Sequence, residues 1–592
     1  MHQRISRRSA LISGGAALFL SVTGQFSEHS PALATQEADV LEVFNRENSP
    51  SHFFRIPFMV STANDTLVIG CDANRATTGD SADNIDALIR RKPNASRYSI
   101  SDGWEAPSLI KPLEMRDYSN KYGYAPASSS VIDGAIIEDS VRHRLMIVID
   151  LWAWNGGVFE HLNVSPDGSV NDGRPRKFPL GDGFATVAGR DMLLLSTHNV
   201  TGDADGLRGN INLNIDRSQF DLVADLDGPR DKHGRIQIYE LIGIPRPYTT
   251  AGVDDSNLAL GRRSRYSLDD GFNLFEAGIP LYVFQHGSAR ITPMRVFYKD
   301  SILQVFNTNH IVEIYSYDDG RTWNMGKLVT RQFRPVDSRY TLVAPGRSIQ
   351  IRAGEHAGRI VVPTYMMLPA GISCTTVYTD DGGETWQRGT PMPATIDLHE
   401  SAITEVLPGV LRSFNRHSAS LGGQHLPTGR SGMSVLPGVL RSFNRHSASS
   451  GGKVLTAESV DGGHSWSTLT SAFGDDDQGV ACQVSALMLK QTIASPTTGE
   501  QLPALIVVSA DDRRRRHGIA HVAVVHRSSR TFGPRSELEW VSHADITSPQ
   551  TLFAYSSIAQ LSDGRVLVLF ESSPTDSWAD GLQRMYLQEL AS

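Results

Sequence analysis

Three sets of side chains are of types and spacings that could do chemistry. One is an acidic stretch, Asp72, Asp80, Asp83 and Asp86, with Arg75 inside it. A carboxyl whose pKa is raised by partial burial can protonate a leaving group, and composition alone does not single out one of the last three aspartates. Another is Arg513 to Arg516, followed by His517 and Gly518. Guanidiniums hold carboxylates through a planar fork, but four in succession ordinarily form a solvated patch or a processing site. The third set, Asp318, Asp381 and Asp461, has the look of catalytic or calcium-binding carboxylates, yet each stands in one recurring pattern, S/T-x-D-x-G-x-T/S-W. Cys71, Cys374 and Cys482 are too few and too far apart for a disulfide scaffold or a CxxC metal site.

The recurring pattern spans Ser316–Trp323, Thr379–Trp386 and Ser459–Trp466, with a degenerate fourth copy at Ser101–Trp104. Its physics is local: Asp bonds backbone N–H groups of its own turn, Gly accepts positive φ, and Trp caps the packing beneath. The three aspartates therefore read as structural. Short β-branched and aromatic runs bounded by turn residues, such as 66–70, 145–151, 358–365, 505–509 and 565–570, fill the chain, and long amphipathic helical patterns are nearly absent. At roughly 150 residues per domain, 592 residues suggest about four domains. Large all-β folds are the exception to that prior, and a repeated strand-turn box favours one closed array. Successive box tryptophans are 63 and 80 residues apart. The larger gap contains a duplication: residues 406–420 (VLPGVLRSFNRHSAS) return at 435–449, an offset of 29, so that 51 residues remain once one copy is set aside.

These boxes, combined with Phe54-Arg55-Ile56-Pro57, resemble the sialidase (neuraminidase) family, which carries an early FRIP motif and several later Asp boxes. The resemblance implies an all-β fold, a six-bladed β-propeller with a small β-rich domain inserted in an early blade. The boundaries expected are 1–34 signal peptide, 35–155 first propeller part, 156–300 insert and 301–592 remaining propeller. It also implies a site that neutralises the carboxylate of a sialic acid, protonates the leaving oxygen and attacks a crowded anomeric carbon. Arg55 matches the first of the family's three arginines. Glu400 and Arg416 match its glutamate strand and second arginine, although the duplicate Arg445 has the same local sequence. Arg515 fits best as the third arginine, with its neighbours one position away. Asp80 matches the acid/base aspartate, with Asp83 and Asp86 nearby and Arg75 lining the same pocket. Tyr555 in Phe553-Ala-Tyr-Ser matches the nucleophile, with Glu400 as its base. A phenol is neutral until deprotonated, so it approaches the substrate's carboxylate without the repulsion a carboxylate would meet.

The activity implied is a retaining exo-α-sialidase acting on sialylated glycoconjugates through a tyrosyl intermediate, with no metal or organic cofactor. A trans-sialidase or intramolecular trans-sialidase is the alternative within that chemistry. Of another class is a catalytically impaired sialic-acid-binding propeller, since the duplication falls where a misplaced hairpin would disturb the second arginine. At the start, Arg4, Arg7 and Arg8 precede an apolar run, and Ala32-Leu33-Ala34 supplies a cleavage site, the pattern of an exported bacterial protein, secreted or periplasmic, with a twin-arginine-like Ser6–Leu11 segment. No apolar run is long enough to span a membrane. With 56 basic and 64 acidic residues the formal charge is −8, which gives no bulk attraction to nucleic acid. A monomer is expected.

Overall fold

The computed structural model describes residues 40–49, 51–74, 85–110, 129–153, 162–164, 170–175, 181–197, 217–249, 251–284, 291–298, 300–306, 308–393, 397–417, 454–473, 482–511, 514–530, 533–575 and 583–590. The expected signal peptide at 1–34, together with Arg75, Asp80, Asp83 and Arg445, lies outside them. Among the described residues, α-helix is limited to Thr330–Phe333, and no helix is long and apolar enough to cross a membrane.

Apolar, β-branched runs such as Leu67–Asn74 and Arg144–Trp152 are buried along almost their whole length. Such runs suit strands that have other strands on both faces and both sides. Four separate sheets of four or five strands result. They start from the strands Tyr340–Val343, Leu398–Leu407, Ser485–Ala494 and Ser556–Gln560. A fifth sheet, of nine strands, runs from Phe53–Ser61 through Leu67–Asn74, Ile85–Lys92, Ser130–Asp139 and Arg144–Trp152 to Asn309–Ser316 and Asn324–Leu328. Neighbouring sheets touch through their leading strands. Phe53–Ser61 packs on both Ser130–Asp139 and Ser556–Gln560, and Ser485–Ala494 packs on both Ser556–Gln560 and Leu398–Leu407. The arrangement is propeller-like. It corrects the six separate blades expected from sequence to four blade sheets and one wider sheet, because a parallel pairing at Ile85 and Ser130 joins two strand sets into one hydrogen-bonded unit.

The array closes on itself through its ends. Val40–Phe44 pairs antiparallel with Arg584–Leu590, which continues to Val566–Ser572 and Ser556–Gln560. Within the nine-stranded sheet, Trp152 lies opposite Asn309 and Leu145 opposite Ser316. The chain between these paired strands forms an eight-stranded sheet, reaching from Phe184–Val187 to Ile279–Pro280, and two small hairpins.

The three boxes make one set of hydrogen bonds. In the first, Asp318 Oδ1 accepts the Thr322 N–H at 2.8 Å, Oδ2 accepts the Thr322 hydroxyl at 2.6 Å, and the Gly320 N–H donates to Ser316 Oγ at 2.7 Å. Asp381 and Asp461 accept the Thr385 and Ser465 N–H groups, each at 2.9 Å. Partial burial pushes these carboxyls up, but the donated bonds outweigh it and hold all three below the usual aspartate range. The indoles also fasten neighbouring sheets. Trp386 Nε1–H donates to Glu313 Oε2 at 3.0 Å, and Trp466 Nε1–H to Thr376 Oγ1 at 3.4 Å. At the degenerate fourth copy Trp104 instead donates to the Ile100 carbonyl at 2.8 Å.

The first copy of the duplicated segment supplies the strand Val410–His417, which pairs with Leu398–Leu407 on one side and Val454–Ser459 on the other. Its place in the sheet is therefore filled directly ahead of the third box. The second copy lies outside the described residues.

Candidate active site

Three strands are irregular at the residues that carry the site's charges. In Phe53–Ser61 the pairing register shifts between Arg55 and Phe58, and Ile56 takes φ 52°. Positive φ is strained for a β-branched residue, and a bulge of this kind re-aims the side chain beside it. Pro57, with no N–H to lose, follows the bulge. Leu398–Leu407 shifts register between Leu398 and Ser401, bracketing Glu400. Ser130–Asp139 shifts between Ile132 and Ala135, where Asp133 has φ 61°.

Tyr555, 5% exposed, donates its hydroxyl to Glu400 Oε1 at 2.6 Å. Arg416 Nη1 donates to Glu400 Oε2 at 2.6 Å and lies 3.5 Å from the Tyr555 hydroxyl oxygen. Burial pushes the Glu400 carboxyl up, yet Arg416 and the tyrosine hydroxyl more than offset it and hold Glu400 ionised. Burial and the Glu400 charge push the Tyr555 phenol well above its ordinary value, against the opposing pull of Arg416 and Arg515. At rest the pair is thus a carboxylate facing a neutral phenol, the arrangement in which a base can take the phenolic proton as the oxygen attacks.

Two further guanidiniums flank the ring. The Arg55 guanidinium carbon is 5.9 Å from the ring centroid and that of Arg515 is 5.6 Å away. Arg55 is fixed from behind by Glu571, whose Oε1 accepts Arg55 Nε–H at 3.1 Å and whose Oε2 accepts the Ile56 N–H at 3.4 Å. Burial would lower the Arg55 pKa, but Glu571 raises it and keeps the side chain charged. Arg515 occupies φ 58°, and its carbonyl accepts the Phe553 N–H at 2.8 Å, two residues before Tyr555. In the arginine run, Arg514 is exposed and Arg516 turns to Gln550 at 3.0 Å, whereas Arg515 is buried.

The structure therefore brings together Arg55, Glu400, Arg416, Arg515 and Tyr555. Asp80 and Arg75 are outside the described residues, and Asp86 is buried in the strand Ile85–Lys92 opposite Ala73. Two groups escape a reading of the sequence. Glu571 is a lone carboxylate closing the apolar run Val566–Phe570. Asp133 precedes Gly134 inside another apolar run, where Asp-Gly reads as a hairpin and is instead a bulge. Burial, followed by the charges of Asp72, Asp150 and Glu400, raises Asp133 well above the usual aspartate range. The available signal is the same in both cases, a single acid within an apolar strand, which is retained only if something holds it.

The BNR repeat-like domain family matches residues 287–568. Anhydrosialidase of Macrobdella decora is 25% identical over 89% of this chain and 59% of its own length. Sialidase B of Streptococcus pneumoniae is 25% identical over 94% of this chain and 67% of its own length. The chain thus spans about three fifths to two thirds of these relatives. Among solved structures, the intramolecular trans-sialidase from Ruminococcus gnavus has a TM-score of 0.65 at 22% identity, covering 94% of this chain and 97% of its own. The leech intramolecular trans-sialidase reaches a TM-score of 0.67 at 23% identity, covering 94% and 70%. Both likenesses concern the fold, and both folds place sheets in a β-propeller. With its box repeats and the bulged Arg55 strand, the chain is similar along nearly its whole length to sialidases.

Proposed function

We propose that this protein is a retaining exo-α-sialidase that removes terminal sialic acid from glycoconjugates. The observation that carries the reading is the Tyr555 hydroxyl 2.6 Å from an ionised Glu400, flanked by Arg55, Arg416 and Arg515. In the first step the three guanidiniums hold the substrate carboxylate. The Tyr555 oxygen bonds to the anomeric carbon while its proton passes to Glu400. The glycosidic bond breaks, and its oxygen takes a proton from Asp80, in a pocket that Arg75 helps to line. In the second step water attacks the same carbon, giving a proton to Asp80, and the tyrosyl oxygen leaves with the proton held by Glu400. Two inversions give retention. Neither step calls for a metal or an organic cofactor.

A second reading is favoured by the 25% identity to a protein named anhydrosialidase. In it a hydroxyl of the substrate's own glycerol side chain replaces water, giving an anhydro sugar. Product NMR after complete turnover of 3′-sialyllactose separates the two: free sialic acid supports hydrolysis, and an anhydro sugar supports the internal transfer. Loss of turnover with sialic acid binding retained leaves the binding propeller. As to architecture, we take 156–300 as an insert between the paired strands Arg144–Trp152 and Asn309–Ser316. An exported monomer with residues 1–34 removed completes the proposal.

A further inference from the structure

Next to Arg515 stands a side chain that the sialidase reading does not use. Two residues after Arg515 the chain has His517-Gly518. His517 takes φ 56°, an uncommon conformation for a residue other than glycine. Its imidazole bridges two carboxylates: Nδ1 is 3.0 Å from Asp511 Oδ2 and Nε2 is 2.9 Å from Asp545 Oδ1. Both ring nitrogens are thus engaged by carboxylate oxygens, one from its own turn and one from the neighbouring strand.

The bridge closes a loop around Arg515. Asp511 begins the turn and Asp545 ends the neighbouring strand Gly533–Asp545. The turn is also tied by backbone bonds, from the Asp511 N–H to the His517 carbonyl at 2.8 Å and from the His517 N–H to the Thr551 carbonyl at 3.0 Å. Arg516 forms a bridge with Leu552, so Arg515–His517 lies alongside the segment that leads to Tyr555. Beside the ring, the Thr547 hydroxyl accepts the N–H of the next residue, Gly518, at 2.8 Å. The two carboxylates are the only acceptors in contact with the ring among the described residues.

We propose that His517 is a positioning residue: its imidazole, clamped between Asp511 and Asp545, fixes the backbone that presents Arg515 to the substrate carboxylate. The consequence for substrate rests on the sialidase reading, whereas the clamp itself does not.

Two measurements on the full chain test this. Amide hydrogen exchange at Arg515–Gly518, expressed as protection relative to intrinsic rates, is expected to be lower in His517→Gln than in the parent. With a methylumbelliferyl sialoside, His517→Gln is expected to raise KM roughly ten-fold, the loss of one charge-assisted hydrogen bond. Its kcat should change far less. Asp545→Asn, which keeps an acceptor at the same place but removes its charge, should show a smaller effect in the same direction. Parent-like protection in His517→Gln overturns the clamp. A lowered kcat with an unmoved KM overturns the positioning role. A parent that turns over no sialoside defeats the sialidase reading alone, and exchange still decides the clamp.

Discussion

Glu313 offers a test of the packing between sheets. It lies in Asn309–Ser316, is fully buried, and accepts the indole N–H of Trp386 from the second box. Burial pushes its pKa from 4.5 up to about 7, although hydrogen bonds from Tyr315 and Trp386 and the charges of Lys327 and Arg144 pull the other way. The folded protein then binds a proton that the unfolded chain has already released, so stability falls as pH rises from about 4.5 through about 7. The gap, at about 1.4 kcal/mol per pH unit, amounts to roughly 3 kcal/mol lost above about pH 8. Glu313→Gln keeps an acceptor for the indole and cannot ionise. Its urea unfolding free energy should match the parent's near pH 5 and exceed it by up to about 3 kcal/mol at pH 8.5. A parent-to-variant difference that stays constant across that range would refute the assignment of a neutral carboxyl to this contact.

Three further outcomes are expected at the site. Glu400→Gln removes the proposed proton acceptor and should lower kcat about 10²- to 10⁴-fold, read with a fluorogenic sialoside. Glu571→Ala leaves the buried Arg55 charge without its carboxylate and should destabilise the protein by about 3–5 kcal/mol in thermal or urea unfolding, with a raised KM in whatever folds. Deleting residues 421–449 restores a single copy of the repeat and joins Val410–His417 to Val454–Ser459 through a short loop. The shortened chain should therefore keep its melting temperature to within a few degrees and its turnover to within a few-fold.

What could be read in the sequence was what local chemistry dictates. Asp318, Asp381 and Asp461 bond their own turns, so their pattern survives translation along the chain and reveals the architecture. Tyr555, Glu400 and Arg55 were legible through motifs whose neighbours must bulge or turn in one way, as Ile56 does at φ 52°. Glu571 and Asp133 were not, because their roles depend on partners 516 and 61 residues away, Arg55 and the Asp72 carboxylate that accepts the Asp133 N–H. The joining of two strand sets at Ile85 and Ser130 is likewise a long-range pairing that no local pattern announces. Choosing among Arg513 to Arg516 needed the positive φ at Arg515, which sequence does not display.

The closure of the array by its two ends sets an order of events. Arg55 enters early in the chain and Tyr555 and Glu571 near its finish, so the pair Arg55–Glu571 spans 516 residues. Contacts of such separation form late, after loop closure has been overcome. Chemistry at this site is therefore expected to be the last property regained on refolding, after much of the β-sheet signal has returned. A chain shortened before Val566 loses two strands of the sheet that closes the array together with the carboxylate that fixes its first arginine.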